Sequence, residues 1–306
     1  MKQYPGGVWP VMLTPFNRDG SVDEGGLRAL VDWYIHAGVD GLFASCQSSE
    51  IFNMDFEERM RIARITVDQA AGRVPVVGSG FTDYEPNDQL RSIKAMADTG
   101  VDAVILLTNR LALEDEDDSI LLHRLFHLLD HLDPALPLGL YECPQPYKRL
   151  LSLPVIRKVA DTSRFYFLKD TCCDAATIKQ RLLAIAGSPF QLYNANTTTL
   201  LRSLRDGAPG YSGIMANFHP QAYVWLTRHI NHPKADLVQA LLTCASQIER
   251  QCYPVNAKYH LSAIEKLPVT TFTRTKPDTL LTETFRDEVR QMDQLIQAVF
   301  PEWSRL

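Results

Sequence analysis

The stretch FYFLKD, residues 165–170, is a short apolar run that ends in two charged residues. Its length and its aromatic content are typical of a buried β-strand. An amphipathic segment, residues 174–186, follows it with the periodicity of a helix. Because short apolar runs and longer amphipathic segments alternate in this way along most of the chain, the sequence predicts repeated strand–helix units around a parallel sheet.

Eight such units are predicted. The predicted strands are residues 8–14, 39–46, 74–80, 102–108, 137–143, 165–170, 190–195 and 210–216, and the clearest predicted helices are residues 23–37, 55–71, 87–99, 117–132 and 174–186. In the fourth of these helices, leucines recur every three or four residues from Leu121 to Leu132 and form an apolar stripe that should face the sheet. Units spaced roughly 20 to 35 residues apart are typical of a closed α/β fold, the (β/α)8 TIM barrel. The first strand–helix loop lacks a GxGxxG motif, which disfavours an open dinucleotide-binding sheet.

The strand signals stop near Phe218. Beyond this residue the chain is predicted to be helical, with interruptions at Pro233, Pro254 and Pro277. We therefore predict two parts, a catalytic (β/α)8 barrel at residues 1–217 and a C-terminal helical extension at residues 218–306.

The composition excludes several classes of protein. With 306 residues and 45% hydrophobic content, the chain can bury a large core. Its net charge of −5 comes from interspersed acidic and basic residues, so no basic face for nucleic acid is expected. No run of about 18 apolar residues occurs and the first residues lack a signal-peptide pattern, so we expect a cytoplasmic protein with no membrane partner. The six cysteines are expected to be reduced thiols.

Lys169 is the strongest candidate for a catalytic residue. In a TIM barrel the functional side chains lie at the carboxyl ends of the strands, and Lys169 is next to last in its predicted strand. Burial there would lower the pKa of the amine and supply neutral amine as a nucleophile for a carbonyl carbon. From position alone, a structural lysine that pairs with Asp170 is an open alternative.

Five short motifs carry a resemblance to a known family. In chain order they are TPF at residues 14–16, SSE at 48–50, YECP at 141–144, LKDT at 168–171 and PVNAK at 254–258. Their order, and the interval of 28 residues from Tyr141 to Lys169, resemble the dihydrodipicolinate synthase and N-acetylneuraminate lyase family. The resemblance extends along essentially the whole chain.

The resemblance implies the chemistry of a class I pyruvate-type aldolase. Lys169 would form a Schiff base with a 2-oxo acid, for which pyruvate is expected, and Tyr141 would transfer the proton. The second substrate would be an unidentified aldehyde, no cofactor would be required, and the protein would assemble as a homotetramer. The expected substrate-binding residues are Gln47, Ser48, Thr171, Ser212 and Arg110.

The chain departs from the family pattern at three places. The carboxylate-binding loop is usually Gly-[Ser/Thr]-Thr-Gly-Glu, whereas residues 46–50 read CQSSE, so both glycines are missing. A relay tyrosine of the lysine-pathway synthases is replaced by Leu111, and a substrate-steering arginine is replaced by Pro146. Arg110 is expected either to bind a different substrate or to be a solvated surface residue. We therefore do not expect the protein to make dihydrodipicolinate.

Two other functions stay open. One is a dehydratase or aldolase that acts on a 2-keto-3-deoxy sugar acid through the same iminium ion. The other is a catalytically weak paralogue that senses a 2-oxo acid, which the altered loop suggests. Separately, His123, His127 and His131 have a spacing that can hold a metal ion, but they lie opposite the leucine stripe. We interpret them as a solvated helix face and expect no metal site.

Overall fold

Eight parallel strands form one sheet in the computed structural model, which describes residues 4–299 of the chain. The strands are β1 (Gly7–Val8), β2 (Leu42–Phe43), β3 (Val76–Gly78), β4 (Ala103–Leu107), β5 (Leu138–Tyr141), β6 (Phe165–Asp170), β7 (Gln191–Asn194) and β8 (Gly210–Tyr211). They pair in the order β1-β8-β7-β6-β5-β4-β3-β2. A parallel bridge between Val11 and Phe43, with the Met12 N–H donating to the Phe43 carbonyl at 3.0 Å, joins the two ends of this order. The fold is the predicted (β/α)8 TIM barrel.

Helices alternate with these strands and then continue beyond the last one. Within residues 4–299 they are α1 (Glu24–His36), α2 (Phe56–Ala70), α3 (Pro86–Ala97), α4 (Thr108–Leu111), α5 (Asp118–Asp130), α6 (Leu153–Asp161), α7 (Ala175–Ile185), α8 (Leu200–Arg205), α9 (Pro220–Arg228), α10 (Ala235–Ala245), α11 (Val255–Tyr259) and α12 (Glu283–Val299). The five helices predicted from the sequence correspond to α1, α2, α3, α5 and α7, and their ends agree within two residues. Four of them begin after an aspartate whose carboxylate accepts a hydrogen bond from the first turn, namely Asp23, Asp55, Asp117 and Asp174.

The observed strands are shorter than several of the predicted ones. The run at residues 8–14 predicts one long strand, but only Gly7–Val8 pairs as a strand. Pro10 has no N–H to donate, so one hydrogen bond of the ladder is missing there, and pairing resumes as the isolated bridge of Val11 with Phe43. The run at residues 210–216 likewise passes from β8 into a 3-10 turn, Ile214–Asn217. A buried apolar run suits either conformation, and hydrophobicity alone does not distinguish them.

Helix α5 presents its two faces as predicted. The leucines of the stripe, from Leu121 to Leu132, are buried in the barrel core. The three histidines, His123, His127 and His131, are exposed on the other side of the helix. The orientation of this helix that the leucine pattern predicts is therefore confirmed.

The helical extension shares a core with the barrel. Helix α9 follows the last strand and packs against β1 and β8. Val289 and Ile296 of α12 are buried in the same apolar cluster as Leu27 and Leu30 of α1. We propose that the strand-containing part ends at residue 217. The side chains on the two sides of this boundary pack into one apolar cluster.

The six cysteines, all within residues 4–299, form no disulfide bond with one another. Among residues 4–299, none of the helices combines the length and the apolar character that crossing a bilayer requires.

A buried charge cluster fixes the carboxyl ends of β5 and β6. Glu142 directly follows β5, Asp170 ends β6, and both carboxylates accept hydrogen bonds from Arg181 of α7. The Arg181 Nη2 and Nη1 atoms lie 2.9 and 3.0 Å from the two carboxylate oxygens of Glu142. Glu142 also accepts hydrogen bonds from the backbone N–H groups of Leu151 and Thr171. Because buried charges need this degree of pairing, the cluster holds the loops after both strands in one arrangement.

Candidate active site

Tyr141 and Lys169 lie side by side at the mouth of the barrel. They are partners in the parallel register of β5 and β6. The Lys169 Nζ atom lies 4.0 Å from the centre of the Tyr141 ring. Both side chains are almost completely buried, with 5% of Lys169 and 2% of Tyr141 exposed. The two residues that the sequence selected for catalysis are therefore in contact.

Burial changes the ionisation of Lys169. Loss of hydration lowers the pKa of its amine to about 8, and three nearby thiols and the carboxylate of Glu249 oppose part of this effect. At physiological pH a much larger fraction of this amine is therefore neutral than for a lysine in water, and the neutral amine is the nucleophile. Asp170, the alternative partner of Lys169, pairs with Arg181 instead.

Tyr141 is held as a neutral phenol. Burial raises the pKa of its hydroxyl well above the ordinary value, so the group keeps its proton. The hydroxyl donates a hydrogen bond to Gln47 Oε1 at 3.3 Å, and the Cys143 thiol donates to the same oxygen at 3.7 Å. The Gln47 side chain thus orients the hydroxyl of a phenol whose ring lies against the Lys169 amine.

The loop at residues 46–50 folds without the glycines of the family pattern. Its central part, Gln47–Ser49, is a 3-10 turn. Cys46 has an extended φ of −147°, and the left-handed φ of 67° in this loop belongs to Glu50. Since neither Cys46 nor Ser49 adopts a positive φ, the missing glycines introduce no backbone strain. The Ser49 hydroxyl lies within hydrogen-bonding distance of two backbone carbonyl oxygens, so it anchors the turn rather than facing a ligand.

Glu50 connects this loop to the C-terminal extension. Its Oε1 atom accepts a hydrogen bond from Lys258 Nζ at 3.1 Å. Its Oε2 atom accepts from the backbone N–H groups of Arg274 and Thr275 at 2.7 and 2.8 Å. Burial lowers the pKa of Lys258 to about 8, although the Glu50 carboxylate opposes that shift. The lysine of the PVNAK motif therefore anchors the loop beside Lys169.

Three further residues that were predicted to bind substrate have different environments. Ser48 and Thr171 line the cavity next to Lys169. The Thr171 hydroxyl, however, donates to the Glu142 carbonyl at 2.7 Å and is committed to the backbone. Ser212 is fully buried after β8 and lies outside the cavity lining. Contact of Ser212 with a substrate stays a prediction.

Arg110 lies one layer away from the cavity. Its guanidinium carbon is 4.2 Å from the ring centre of Tyr84 and 5.1 Å from that of Phe52. Phe52 itself lines the cavity. Arg110 is only 8% exposed, so it is not the solvated surface arginine that was one of the two expectations. Direct contact between Arg110 and a substrate stays a prediction.

The cavity at the barrel mouth has a volume of about 640 Å³. Its inner part is formed by strand-end residues, and its outer wall comes from the extension and includes Glu249, Tyr253 and Lys276. Burial raises the pKa of the Glu249 carboxyl, so this group keeps its proton to a higher pH than a carboxyl in water. The residues predicted from the sequence lie mostly at strand ends, so Glu249, Tyr253 and Lys276 were not among them. The PVNAK motif directly follows Tyr253 and was the sequence pattern that could have indicated this wall.

The chemistry of the lining favours an organic anion over a metal ion. The carboxylates in the described lining are Glu50 and Glu249, and Glu50 is already bound to Lys258. The same lining has no histidine and contains the side chains of Lys169 and Lys276. A carboxylate-bearing ligand fits these cations better than a hard or borderline metal ion fits this set of donors.

Comparison with known proteins agrees with this geometry. The model of the dihydrodipicolinate synthetase family matches residues 4–294. A 4-hydroxy-tetrahydrodipicolinate synthase of Anaplasma marginale (strain Florida) is 26% identical over 268 residues, which are 85% of this chain and 86% of the relative. A probable 5-dehydro-4-deoxyglucarate dehydratase 2 of Streptomyces avermitilis is 30% identical over 218 residues, which are 70% of this chain and 63% of the relative.

Solved structures give the same result. A prophage protein of the dihydrodipicolinic acid synthase family from E. coli K12, solved in complex with pyruvate, has a TM-score of 0.84 at 25% identity and covers 95% of this chain and 98% of its own. A dihydrodipicolinate synthase from Bacillus anthracis has a TM-score of 0.86 at 20% identity, covers 96% of this chain and 99% of its own, and supports the fold. Because the family model spans nearly the whole chain and the barrel has the same architecture, the chain belongs to the dihydrodipicolinate synthetase family of lyases and aldolases.

Proposed function

We propose that the protein is a class I aldolase-type lyase in which Lys169 forms a Schiff base with a 2-oxo acid, namely pyruvate. The observation that carries the proposal is the buried Lys169 amine, with its lowered pKa, in contact with Tyr141 at the inner end of the cavity. A fully solvated lysine would be almost entirely protonated and could not add to a carbonyl group at a useful rate. The E. coli relative that was solved with pyruvate supports this choice of 2-oxo acid.

The reaction begins with addition of the neutral Lys169 amine to the C2 carbonyl carbon of pyruvate. The resulting carbinolamine loses its hydroxyl group as water and becomes an iminium ion. The positive nitrogen then accepts electron density when a proton leaves C3, and the enamine that forms attacks the aldehyde carbon. Water finally hydrolyses the new iminium ion and restores the free amine.

Tyr141 is suited to move the proton in these steps. Its hydroxyl keeps its proton because of burial, and its ring lies against the Lys169 amine. It can therefore protonate the hydroxyl group that leaves the carbinolamine, or the aldehyde oxygen during carbon–carbon bond formation. Gln47 fixes the direction of the phenol through the hydrogen bond to its Oε1 atom.

The carboxylate of the 2-oxo acid would bind at the loop of residues 46–50. Ser48 and Gln47 line the cavity there, and their side chains can donate hydrogen bonds. Glu50 holds this loop in place through Lys258 and the backbone of the extension. A rigid donor set of this kind orients the carbonyl carbon of the substrate toward the amine.

A second candidate function is dehydration of a 2-keto-3-deoxy sugar acid. The similarity to a probable 5-dehydro-4-deoxyglucarate dehydratase favours it, as does the Glu249 carboxyl with its raised pKa in the outer cavity wall. After the iminium ion forms at C2, loss of the C3 proton and of the C4 hydroxyl group as water would give an unsaturated iminium ion, with Glu249 protonating the leaving hydroxyl. Hydrolysis of that iminium ion would release the product and restore the Lys169 amine. Product analysis separates the functions, because an aldolase cleaves the sugar acid and releases pyruvate whereas a dehydratase releases no pyruvate. A pure sensor would form the Schiff base without turnover of either kind.

We predict that pyruvate and borohydride together will attach the three-carbon unit irreversibly to Lys169, because reduction converts the iminium ion to a stable secondary amine. Peptide mass mapping measures the site of attachment. Lys258 provides an internal control, since burial lowers its pKa to about 8 as well but its amine is bound to Glu50. Labelling of Lys258 to the same extent, or an unmodified Lys169 peptide after exposure to several 2-oxo acids, would remove the class I assignment.

The rate of this trapping reaction should depend on pH through the Lys169 amine. Below its pKa of about 8 the amine is mostly protonated, so the initial rate should rise with pH and level off above that value. For a lysine in water, the trapping rate would continue to rise up to its pKa of about 10.4. Initial rates with pyruvate and cyanoborohydride across this range measure the midpoint. A midpoint near that of free lysine would show that the amine is not desolvated in solution.

Replacing Tyr141 with Phe should slow turnover by about 100- to 10,000-fold, because positioned acid–base groups contribute effects of this size. Trapping of pyruvate on Lys169 should be retained at least in part, since the nucleophile is intact. Tyr147→Phe is the matched control, because the Tyr147 hydroxyl donates to backbone carbonyls of Asn109 and Ala112 instead of facing Lys169. Turnover that falls equally in both variants, or in neither, would exclude a specific role for the Tyr141 hydroxyl.

We also predict that the protein will condense pyruvate with aspartate semialdehyde poorly. Leu111, which occupies the position of the synthase relay tyrosine, is fully buried in the core and has no group to carry a proton. Pro146, which occupies the position of the steering arginine, has no side-chain donor. The loss of each group should raise the activation barrier of the condensation by about 2–4 kcal/mol. The two losses together should lower the specificity constant by several powers of ten. A coupled assay beside a true synthase tests this, and a constant within about tenfold of that enzyme would contradict it.

A further inference from the structure

Two histidines and an aspartate meet outside the cavity at a junction of the C-terminal extension. His219 precedes α9, His260 begins a π turn that directly follows α11, and Asp293 belongs to α12. The Asp293 Oδ1 atom lies 3.2 Å from His219 Nε2 and 3.5 Å from His260 Nε2. One donor atom from each residue lies within 4.8 Å of the other two.

The two imidazoles are buried and incompletely bonded. His219 is 3% exposed and His260 is fully buried, with the Phe218 ring packed edge-on at 5.6 Å from His260. Within residues 4–299, neither ring nitrogen of His260 makes a hydrogen bond of good geometry, although Nε2 faces Asp293. Buried polar groups are normally satisfied, so an imidazole aimed at a carboxylate in this way indicates a missing partner.

The distances fit a small metal ion at the centre of the cluster. Zn²⁺ binds imidazole nitrogen and carboxylate oxygen at about 2.0–2.2 Å in tetrahedral geometry, which places neighbouring donor atoms roughly 3.3–3.5 Å apart. The two contacts to Asp293 are 3.2 and 3.5 Å, and the ligand atoms of the two histidines lie within 4.8 Å of each other. Two histidines and one carboxylate form an established set of three protein ligands, with water as the fourth. Asp293 is 16% exposed at its side chain, so water can reach the fourth position.

We propose that His219, His260 and Asp293 form a binding site for a divalent transition-metal ion, with Zn²⁺ as the ion of best fit. The site would join α12 to the start of α9 and to the turn after α11, and would therefore stabilise the docking of the extension. This differs from the expectation of a metal-free protein, which considered the spacing of His123, His127 and His131 within one helix. The bound ion takes no part in the chemistry at Lys169.

Equilibrium dialysis of the full chain against ZnCl₂, after treatment with a chelator, tests the proposal. The reference is the double variant His123→Gln/His127→Gln, because exposed histidines four residues apart can bind Zn²⁺ adventitiously. We expect one tightly bound Zn²⁺ per chain in both the natural protein and this reference. In the reference background, His260→Gln and Asp293→Asn should each weaken binding by about tenfold or more. Loss of Zn²⁺ binding in the reference itself would overturn the proposal.

Two further measurements keep the test decisive if a variant at the buried His260 fails to fold. Co²⁺ bound to the reference should show the visible absorption bands of a tetrahedral complex, and Zn²⁺ should displace them. The melting temperature of the reference should rise by about 2–4 °C when free Zn²⁺ is roughly tenfold above its dissociation constant. Asp293 is partly exposed, so the Asp293→Asn variant should still fold. This variant should lose both the tetrahedral Co²⁺ bands and the rise in melting temperature. An octahedral Co²⁺ spectrum, or an unchanged melting temperature, would contradict the assigned ligands.

Discussion

The removal of the Lys169 amine from water is the constraint on which the rest of the candidate site depends. The parallel register of β5 and β6 places this amine against the Tyr141 ring, and the surrounding barrel core excludes solvent from both. Such burial is unfavourable for a charged lysine, so the amine becomes easier to deprotonate. Arg181 forms an ion pair with Asp170, the carboxylate next to Lys169 in the sequence. Asp170 is therefore not available to stabilise the ammonium form of Lys169.

The C-terminal extension is part of the site and not an appendage to it. Glu50, at the end of the loop of residues 46–50, is held by Lys258 and by the backbone at Arg274 and Thr275. The extension also supplies the outer cavity wall, where Glu249 lies. A second substrate in the proposed reaction would contact this wall, so we propose that the extension contributes to substrate specificity.

The barrel was accessible from the sequence because its signals are local, whereas Lys169 and Tyr141 were selected through the family resemblance. The run FYFLKD at residues 165–170 shows a buried strand with a lysine at its end, and the closed fold follows from repetition of such runs. Contacts between distant segments leave no local pattern. Glu249 reaches the cavity from a helical segment, and His219, His260 and Asp293 meet although they are separated by tens of residues. The conformation of the loop at residues 46–50 could likewise not be predicted from the sequence, because it depends on which residues adopt a positive φ.

Covalent attachment of the 2-oxo acid to Lys169 would be visible in a crystal structure of the protein soaked with pyruvate. We predict continuous electron density from Lys169 Nζ to C2 of the ligand, with the ligand carboxylate at Gln47 and Ser48 and the Tyr141 hydroxyl within hydrogen-bonding distance of the adduct. Pyruvate bound in the cavity with its carbonyl group intact and separate from Lys169, or bound elsewhere, would exclude Schiff-base formation at Lys169.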